Sequence, residues 1–167
     1  MGAVVTGTVP LGLLPHLRRA RDHIDRGYRW PLDLDDLAAV AGVSKYHFAR
    51  SFAATYGETP IRYLTRRRIE RAQDLLRTAN LTVTEICMAV GFSSLGSFSA
   101  RFSALVGESP REYRNRWAAL GGSRVPGCYL FICGVLDPPV LDPPADFSVV
   151  AQSGRSESRV RRPTVEQ

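Results

Sequence analysis

The sequence predicts an all-α protein in which two copies of one small helical unit are joined by a single long helix. Three observations carry this prediction. A stretch of chain repeats once, at an offset of 49 and then 50 residues. Apolar positions within and between the copies fall at helical spacing. Glycines stand where each helix has to stop. In the repeat, Leu34, Leu37, Ala41, Gly42 and Ser44 align with Val83, Ile86, Val90, Gly91 and Ser93. After one inserted residue, Phe48, Phe52, Gly57, Glu58, Pro60 and Tyr63 align with Phe98, Phe102, Gly107, Glu108, Pro110 and Tyr113. Two copies are too few for a solenoid, which needs at least three.

Taken in order, residues 1–12 read as an N-terminal extension, and Leu13, Leu17, Ala20 and Ile24 mark a first helix over 13–26 that Gly27 closes. Asp33 suits the cap of a short helix carrying Leu34, Leu37, Val40 and Ala41. Gly42 supplies the left-handed residue after it. Ser44 is expected to cap the next helix, with Phe48 and Phe52 as its buried edge and Gly57 as its end. The second copy repeats the scheme: Thr82 caps, Ile86 and Val90 face inward, Gly91 turns, Ser93 or Ser94 caps, Phe98 and Phe102 pack, and Gly107 stops. Helix, glycine turn, helix is the helix-turn-helix arrangement. One occurrence is a weak signal; two in register on a basic chain is a strong one.

Between the copies, residues 61–79 hold Leu64, Ile69, Ala72, Leu75 and Leu76 in one stripe, without glycine or proline. A continuous helix of that length spans roughly 28 Å, close to the distance of about 34 Å at which equivalent faces of B-DNA recur. The same length is also ordinary core architecture. Ser109 and Pro110 begin a last helix with Tyr113 and Trp117. The expected organisation is therefore a double helix-turn-helix domain over 13–120, made of a first subdomain 13–59, a linker helix 60–79 and a second subdomain 80–120. Residues 121–167 read as a disordered or loosely packed tail. Within it, 126–134 can make one short strand that lacks a convincing partner, and a Leu-Asp-Pro-Pro unit occurs twice.

The net charge of +6 and the pI near 9.7 favour a polyanionic partner without choosing among DNA, RNA and anionic lipid. No run of about eighteen apolar residues is present, which argues against a membrane span, and residues 1–15 make a poor signal peptide. Cys87, Cys128 and Cys133 form no CxxC pair and read as reduced thiols of a cytoplasmic protein. His16, His23 and His47 cluster with no cysteine or carboxylate motif, and no HExxH, GxSxG or phosphate-cradling glycine loop occurs. Asp33, Asp35 and Asp36 crowd a helix start, where capping is the simpler reading than metal binding. No catalytic residue, metal or cofactor is expected, and the chain does not read as an enzyme.

Gly91, Phe92, Ser93, Ser94, Leu95, Gly96, Ser97, Phe98, Arg101 and Phe102, followed by Gly107 to Arg114, strongly resemble the signature of the AraC/XylS family of transcription regulators. The first copy, Ser44 to Phe52 with Gly57 to Pro60, and the linker run 67–76 are similar in the same way. The resemblance covers about 13–117, with none evident after Gly121. It implies a seven-helix, two-subdomain module that binds double-stranded DNA. With only about fifteen residues before the first helix, the chain looks like the small stand-alone members, which bind asymmetric sites as monomers.

The resemblance places base contacts at Tyr46, Ala49 and Arg50, and the phenylalanine edge independently turns these positions outward. Arg50 can hold guanine O6 and N7 in a bidentate contact worth about 1–3 kcal/mol of discrimination; a phosphate contact or a solvated charge is the alternative. Tyr46 can meet a thymine methyl, a base edge or a phosphate, and Ala49 offers an apolar contact only. His47 reads as a partly packed structural histidine. On the second recognition helix the base-reading candidates are Leu95, Gly96, Ser97 and Ala100. Gly96 and Ala100 have no side-chain hydrogen bond to give, so this reader is expected to be shallow. Lys45, Arg62, Arg101 and Arg114, with the helix starts at Thr82 and Ser109, are candidate DNA-backbone contacts. Arg66, Arg67 and Arg68 read as DNA contacts or as a solvated, ion-paired face. The poor polar inventory of 94–100 motivates an alternative: a degenerate regulator acting as a protein-interaction module on RNA polymerase or another regulator.

Overall fold

The structure, a computed structural model, describes residues 10–121 and 124–132. Among these residues there are eight α-helices: α1 Leu14–Gly27, α2 Leu34–Ala41, α3 Lys45–Tyr56, α4 Pro60–Thr78, α5 Val83–Ala89, α6 Leu95–Val106, α7 Pro110–Ala119 and α8 Gly127–Ile132. A 3-10 turn, Leu11–Leu13, leads into α1, and two-residue strands β1 Ala79–Asn80 and β2 Val125–Pro126 pair in parallel. The all-α expectation holds, with one helix more than seven.

Local chemistry sets the helix ends. Asp33 and Asp36 form a reciprocal capping box at α2, Asp36 N–H donating to Asp33 Oδ1 at 2.8 Å and Asp33 N–H to Asp36 Oδ2 at 3.0 Å. Gly42 leaves α2 at φ 68, in the left-handed region, and its N–H returns to the carbonyls of Ala38 and Ala39. The linker helix begins at Pro60, capped by Thr59, and ends at Thr78, because Ala79 turns extended to pair with Val125.

Two separate cores form on α4. The first gathers Leu17, Ala20 and Ile24 of α1, Leu37 of α2, Phe48 and Phe52 of α3, and Tyr63 and Leu64 from the start of α4. The second gathers Ile69, Ala72, Leu75 and Leu76 from the rest of α4 with Ile86 of α5, Phe98 and Phe102 of α6, and Tyr113 of α7. Thus α4 belongs to both subdomains and is not a bare rod between them.

The expectation for residues 126–134 needs correcting. Their short apolar run suggested a strand, but pairing stops at Pro126, which lies opposite Asn80. Proline has no N–H to extend the ladder, and the chain turns into α8 at Gly127. This segment is held: Val125 packs on the second core, and a Cβ at Gly127 would lie 2.6 Å from Leu81 Cδ2. The tail expectation for residues 133–167, and the extension before residue 10, lie outside the described residues. Among the described residues, no helix is long and apolar enough to cross a membrane, and no group of three acidic, histidine or cysteine side chains could hold a metal.

Phe52 and Phe98 are each fully buried, whereas Leu120 is 70% exposed. Replacing either phenylalanine by alanine is expected to lower unfolding free energy by about 3–5 kcal/mol. Leu120→Ala should stay within about 0.5 kcal/mol of the parent; urea titration followed by circular dichroism measures all three.

Candidate nucleic-acid interface

Each helix-turn-helix unit is built around one aromatic knot. In the first, the Phe48 and Phe52 rings lie 5.5 Å apart and Tyr63 of α4 closes on Phe52 at 5.7 Å. In the second, Phe98 and Phe102 lie 5.8 Å apart and Tyr113 of α7 closes on Phe102 at 5.5 Å. These rings fix the rotation of α3 and α6 about their own axes, and so decide which side chains face away from the protein.

On α3, Tyr46 is 74% exposed, Arg50 is exposed and Ala49 is half-buried between them. The Arg50 guanidinium makes no ion pair or hydrogen bond among the described residues. His47 is exposed, correcting its reading as a partly packed residue. The buried edge of α3 is set by Phe48, Ser51 and Phe52, which leaves position 47 on the solvent side. On α6, Leu95 is 43% exposed, and Gly96, Ser97, Ala100 and Arg101 are exposed. The N–H of Ser97 is taken by the cap residue Ser94, whose hydroxyl accepts it at 3.2 Å.

The candidate backbone contacts divide into free and engaged groups. The guanidinium groups of Arg62 and Arg101 are exposed and without a partner among the described residues. Lys45 is engaged: its amino group donates to Asp35 of α2 at 3.2 Å, which raises its pKa. Both partners are largely exposed, so a phosphate can exchange for the carboxylate at little cost. Arg114 is half-buried, with Nε and Nη2 enclosed and unbonded among the described residues. Burial, then the nearby Arg124, pulls its pKa down, and Glu85 opposes them.

Thr82 and Ser109 are both occupied as caps. Their hydroxyls accept the N–H of Glu85 and Glu112 at 3.1 and 3.2 Å, and the two carboxylates return to the N–H of Thr82 and Ser109 at 2.6 and 2.8 Å. Hydrogen bonds from Thr82 and from Ser109 hold these carboxyls below their ordinary range. A phosphate approaching either helix start therefore meets a standing negative charge, and at α7 the first residue, Pro110, has no amide to offer. At α3 the situation differs. Ser44 has the extended cap backbone but its hydroxyl makes no capping bond, contrary to expectation, so the first amides of α3 are open.

The basic run of α4 is committed to the fold. Arg66 donates to Glu58 at 3.0 Å and Glu70 at 2.5 Å, and Arg67 donates to Asp25 at 2.8 Å and Glu70 at 2.6 Å. Arg68 donates to the carbonyls of Tyr28 at 2.6 Å and Trp30 at 2.7 Å. One signal for this was present in the repeat and went unread. Arg116 donates to Glu108 at 3.1 Å and lies over the Tyr113 ring, as Arg66 does with Glu58 and Tyr63. Arg66 and Arg116 stand at the same 50-residue offset as the aromatic positions, so the pair belongs to the unit's own architecture.

Residues 37–116 match the family model described as a helix-turn-helix domain. A transcriptional regulator with an AraC-type DNA-binding domain from Chromobacterium violaceum shares 32% identity, with a TM-score of 0.58, over 65% of this chain and 97% of that one. The chain belongs to the AraC family. The DNA-binding domain of the global transcriptional factor AdpA, solved in complex with a target DNA, is 31% identical with a TM-score of 0.56, over 64% of this chain and 93% of that one. A putative AraC-like transcription regulator of Streptomyces lividans is 40% identical over 92 residues, which are 55% of this chain and 30% of that protein. The chain thus spans less than a third of this curated AraC-type relative. Both the Streptomyces and the Chromobacterium proteins are named as transcription regulators.

The Tyr63 hydroxyl donates to Asp25 at 3.0 Å, tying α4 to α1. Burial, reinforced by Asp25, pushes the phenol from 10.0 up to about 12. A raised native pKa gives stability that is complete below pH 10.0 and is lost as pH rises through about 12. The stability difference between the parent and Tyr63→Phe should therefore be constant up to pH 10 and shrink above it, as read by urea titrations at stepped pH.

Proposed function

We propose that this chain is a sequence-specific DNA-binding transcription regulator that sets α3 and α6 into successive major grooves of one duplex, as a monomer. The observation that carries the reading is the outward pair Tyr46 and Arg50. Both are exposed on one face of α3, and the Arg50 guanidinium is unpaired among the described residues while Arg66, Arg67 and Arg68 on α4 are all tied down. An arginine that has no role in the fold, on a helix whose rotation is fixed by buried rings, is available for a planar, bidentate contact to guanine. Ala49 keeps the centre of that face shallow, so the helix can approach base edges closely. Support also comes from the AdpA domain, whose structure was solved on its target DNA.

The second reader plays a different part. Gly96, Ser97 and Ala100 give α6 a small, nearly featureless face beside Leu95, with Arg101 at its margin. That composition suits groove occupancy and phosphate anchoring by Arg101 more than base discrimination. Arg62 at the start of α4 and the open amides of α3 supply anchoring for the first unit. The same apolar α6 face also favours a second reading, in which it docks on a protein such as RNA polymerase.

Selection of bound duplexes from a random pool, followed by sequencing, identifies the preferred site. On that site Arg50→Ala should lose about 1–3 kcal/mol and relax preference at one base position. Arg62→Ala should weaken all sequences alike and reduce the salt slope by about one. Equal affinity for every duplex at physiological salt overturns the reading. Retention of RNA polymerase by a variant lacking both Tyr46 and Arg50 side chains, with no selective DNA binding by the parent, favours the second.

A further inference from the structure

The two cores share no buried residue, and along α4 the changeover lies between Leu64 and Ile69. Long helices bend, so one shared helix does not by itself fix how α6 is aimed relative to α3. The structure contains a second connection, built on the loop between α1 and α2.

That loop lies directly on the turn of the second helix-turn-helix unit. Gly91 has φ 88, and a Cβ there would stand 2.6 Å from the carbonyl oxygen of Arg29 and 2.9 Å from its Cα. Only glycine admits this approach. The equivalent turn of the first unit shows nothing similar: a Cβ at Gly42 would have only His16 Nδ1 near it, at 3.9 Å. Arg68 secures the contact from the middle of α4. Its Nε and Nη2 hold the Tyr28 and Trp30 carbonyls on either side of Arg29, and its guanidinium carbon lies 5.7 Å from the centroid of the Phe92 ring. One rigid, planar cation thus grips the first subdomain's loop through its edge and meets the second subdomain through an aromatic ring. Burial lowers its pKa, yet it spends its donors on neutral carbonyls. Arg66 has its counterpart in Arg116, but the position 50 residues after Arg68 is Ala118. The second unit therefore has no equivalent of this arginine.

We infer that Arg68 is a positioning residue: with residues 28–30 and Gly91–Phe92 it clamps the two subdomains, fixes the aim of α6 against α3, and so makes half-site spacing part of DNA specificity. The spacing consequence rests on the reading that both helices contact one duplex. Each base pair inserted between half-sites moves the second by about 3.4 Å and about 34° around the helix, which a clamped pair of readers cannot follow. Avidity from simultaneous engagement is lost when geometry forbids it.

The test has two arms, one of them free of DNA. Spin labels at Ala54→Cys and Ala104→Cys, equivalent exposed positions on α3 and α6, are introduced with Cys128 and Cys133 replaced by serine. Their distance distribution is compared between the parent, Arg68→Ala and Arg68→Lys. Both substitutions should broaden it, because an ammonium cannot span both carbonyls while stacking on Phe92; the lysine variant carries the test if the alanine variant loses its helical circular dichroism. In the second arm, one base pair is inserted into the selected duplex. The parent should lose about tenfold or more in affinity, and the Arg68 variants about threefold or less relative to their own binding of the uninserted site. Unchanged distributions in both variants, or reduced thermal stability with an unaltered spacing profile, overturn the clamp. A parent that binds all duplexes alike overturns the proposed function instead, and the label distances still decide whether the clamp exists.

Discussion

Two phenylalanines one helical turn apart, closed by a tyrosine from the next helix, are the contact on which the remaining structure depends. The knot occurs twice, as Phe48, Phe52 and Tyr63 and as Phe98, Phe102 and Tyr113, with nearly equal ring separations. It supplies the largest buried side chains of both cores. It also sets helix rotation: with one edge of α3 or α6 locked inward, the opposite arc must face solvent. The buried edge and the outward face of each helix are in this way two results of one packing event, and neither can be changed alone.

This explains why so much was legible in the chain. The offset of 49 to 50 residues carries apolar spacing, turn glycines and aromatic edges together, and each of those features has a local physical cause. The outward placement of Tyr46 and Arg50 follows from helical geometry once Phe48 and Phe52 are placed, while their choice as candidate contacts is what the family resemblance implies. What escaped was non-local or conditional. β1 and β2 are two residues each, too short to show a period, and their partnership joins residue 79 to residue 125. The capping bond expected from Ser44 depends on a hydroxyl rotamer, and Ser44 leaves it unmade while Ser94 makes it. Arg66 was readable through Arg116, whereas Arg68 was not, because its partners are main-chain carbonyls of a distant loop.

The arginines show why net charge is a poor guide to where a polyanion would sit. Arg66, Arg67, Arg68 and Arg116 are adjacent or conspicuous in the sequence, yet all are consumed by Glu58, Glu70, Asp25, Glu108 and two carbonyls. Arg50, Arg62 and Arg101 are single and unremarkable in the sequence, and these keep their guanidinium groups unspent among the described residues. Partner inventory separates the two sets where residue counting does not. The capping boxes add to this by standing Glu85 and Glu112 at the starts of α5 and α7, which narrows the positive features left for contact.

The parallel pairing of Ala79–Asn80 with Val125–Pro126 bears on how the protein can be cut. A fragment ended at residue 120, the expected end of the double helix-turn-helix domain, would strip Val125 from the second hydrophobic cluster and remove the backbone that covers Leu81 beside Gly127. The start of α5 follows two residues after Leu81, so the bared strand edge would adjoin the very unit whose posture matters. Residues 125–127 are packed on the second subdomain in this way, and a fragment that keeps them retains both the strand pair and the cover over Leu81.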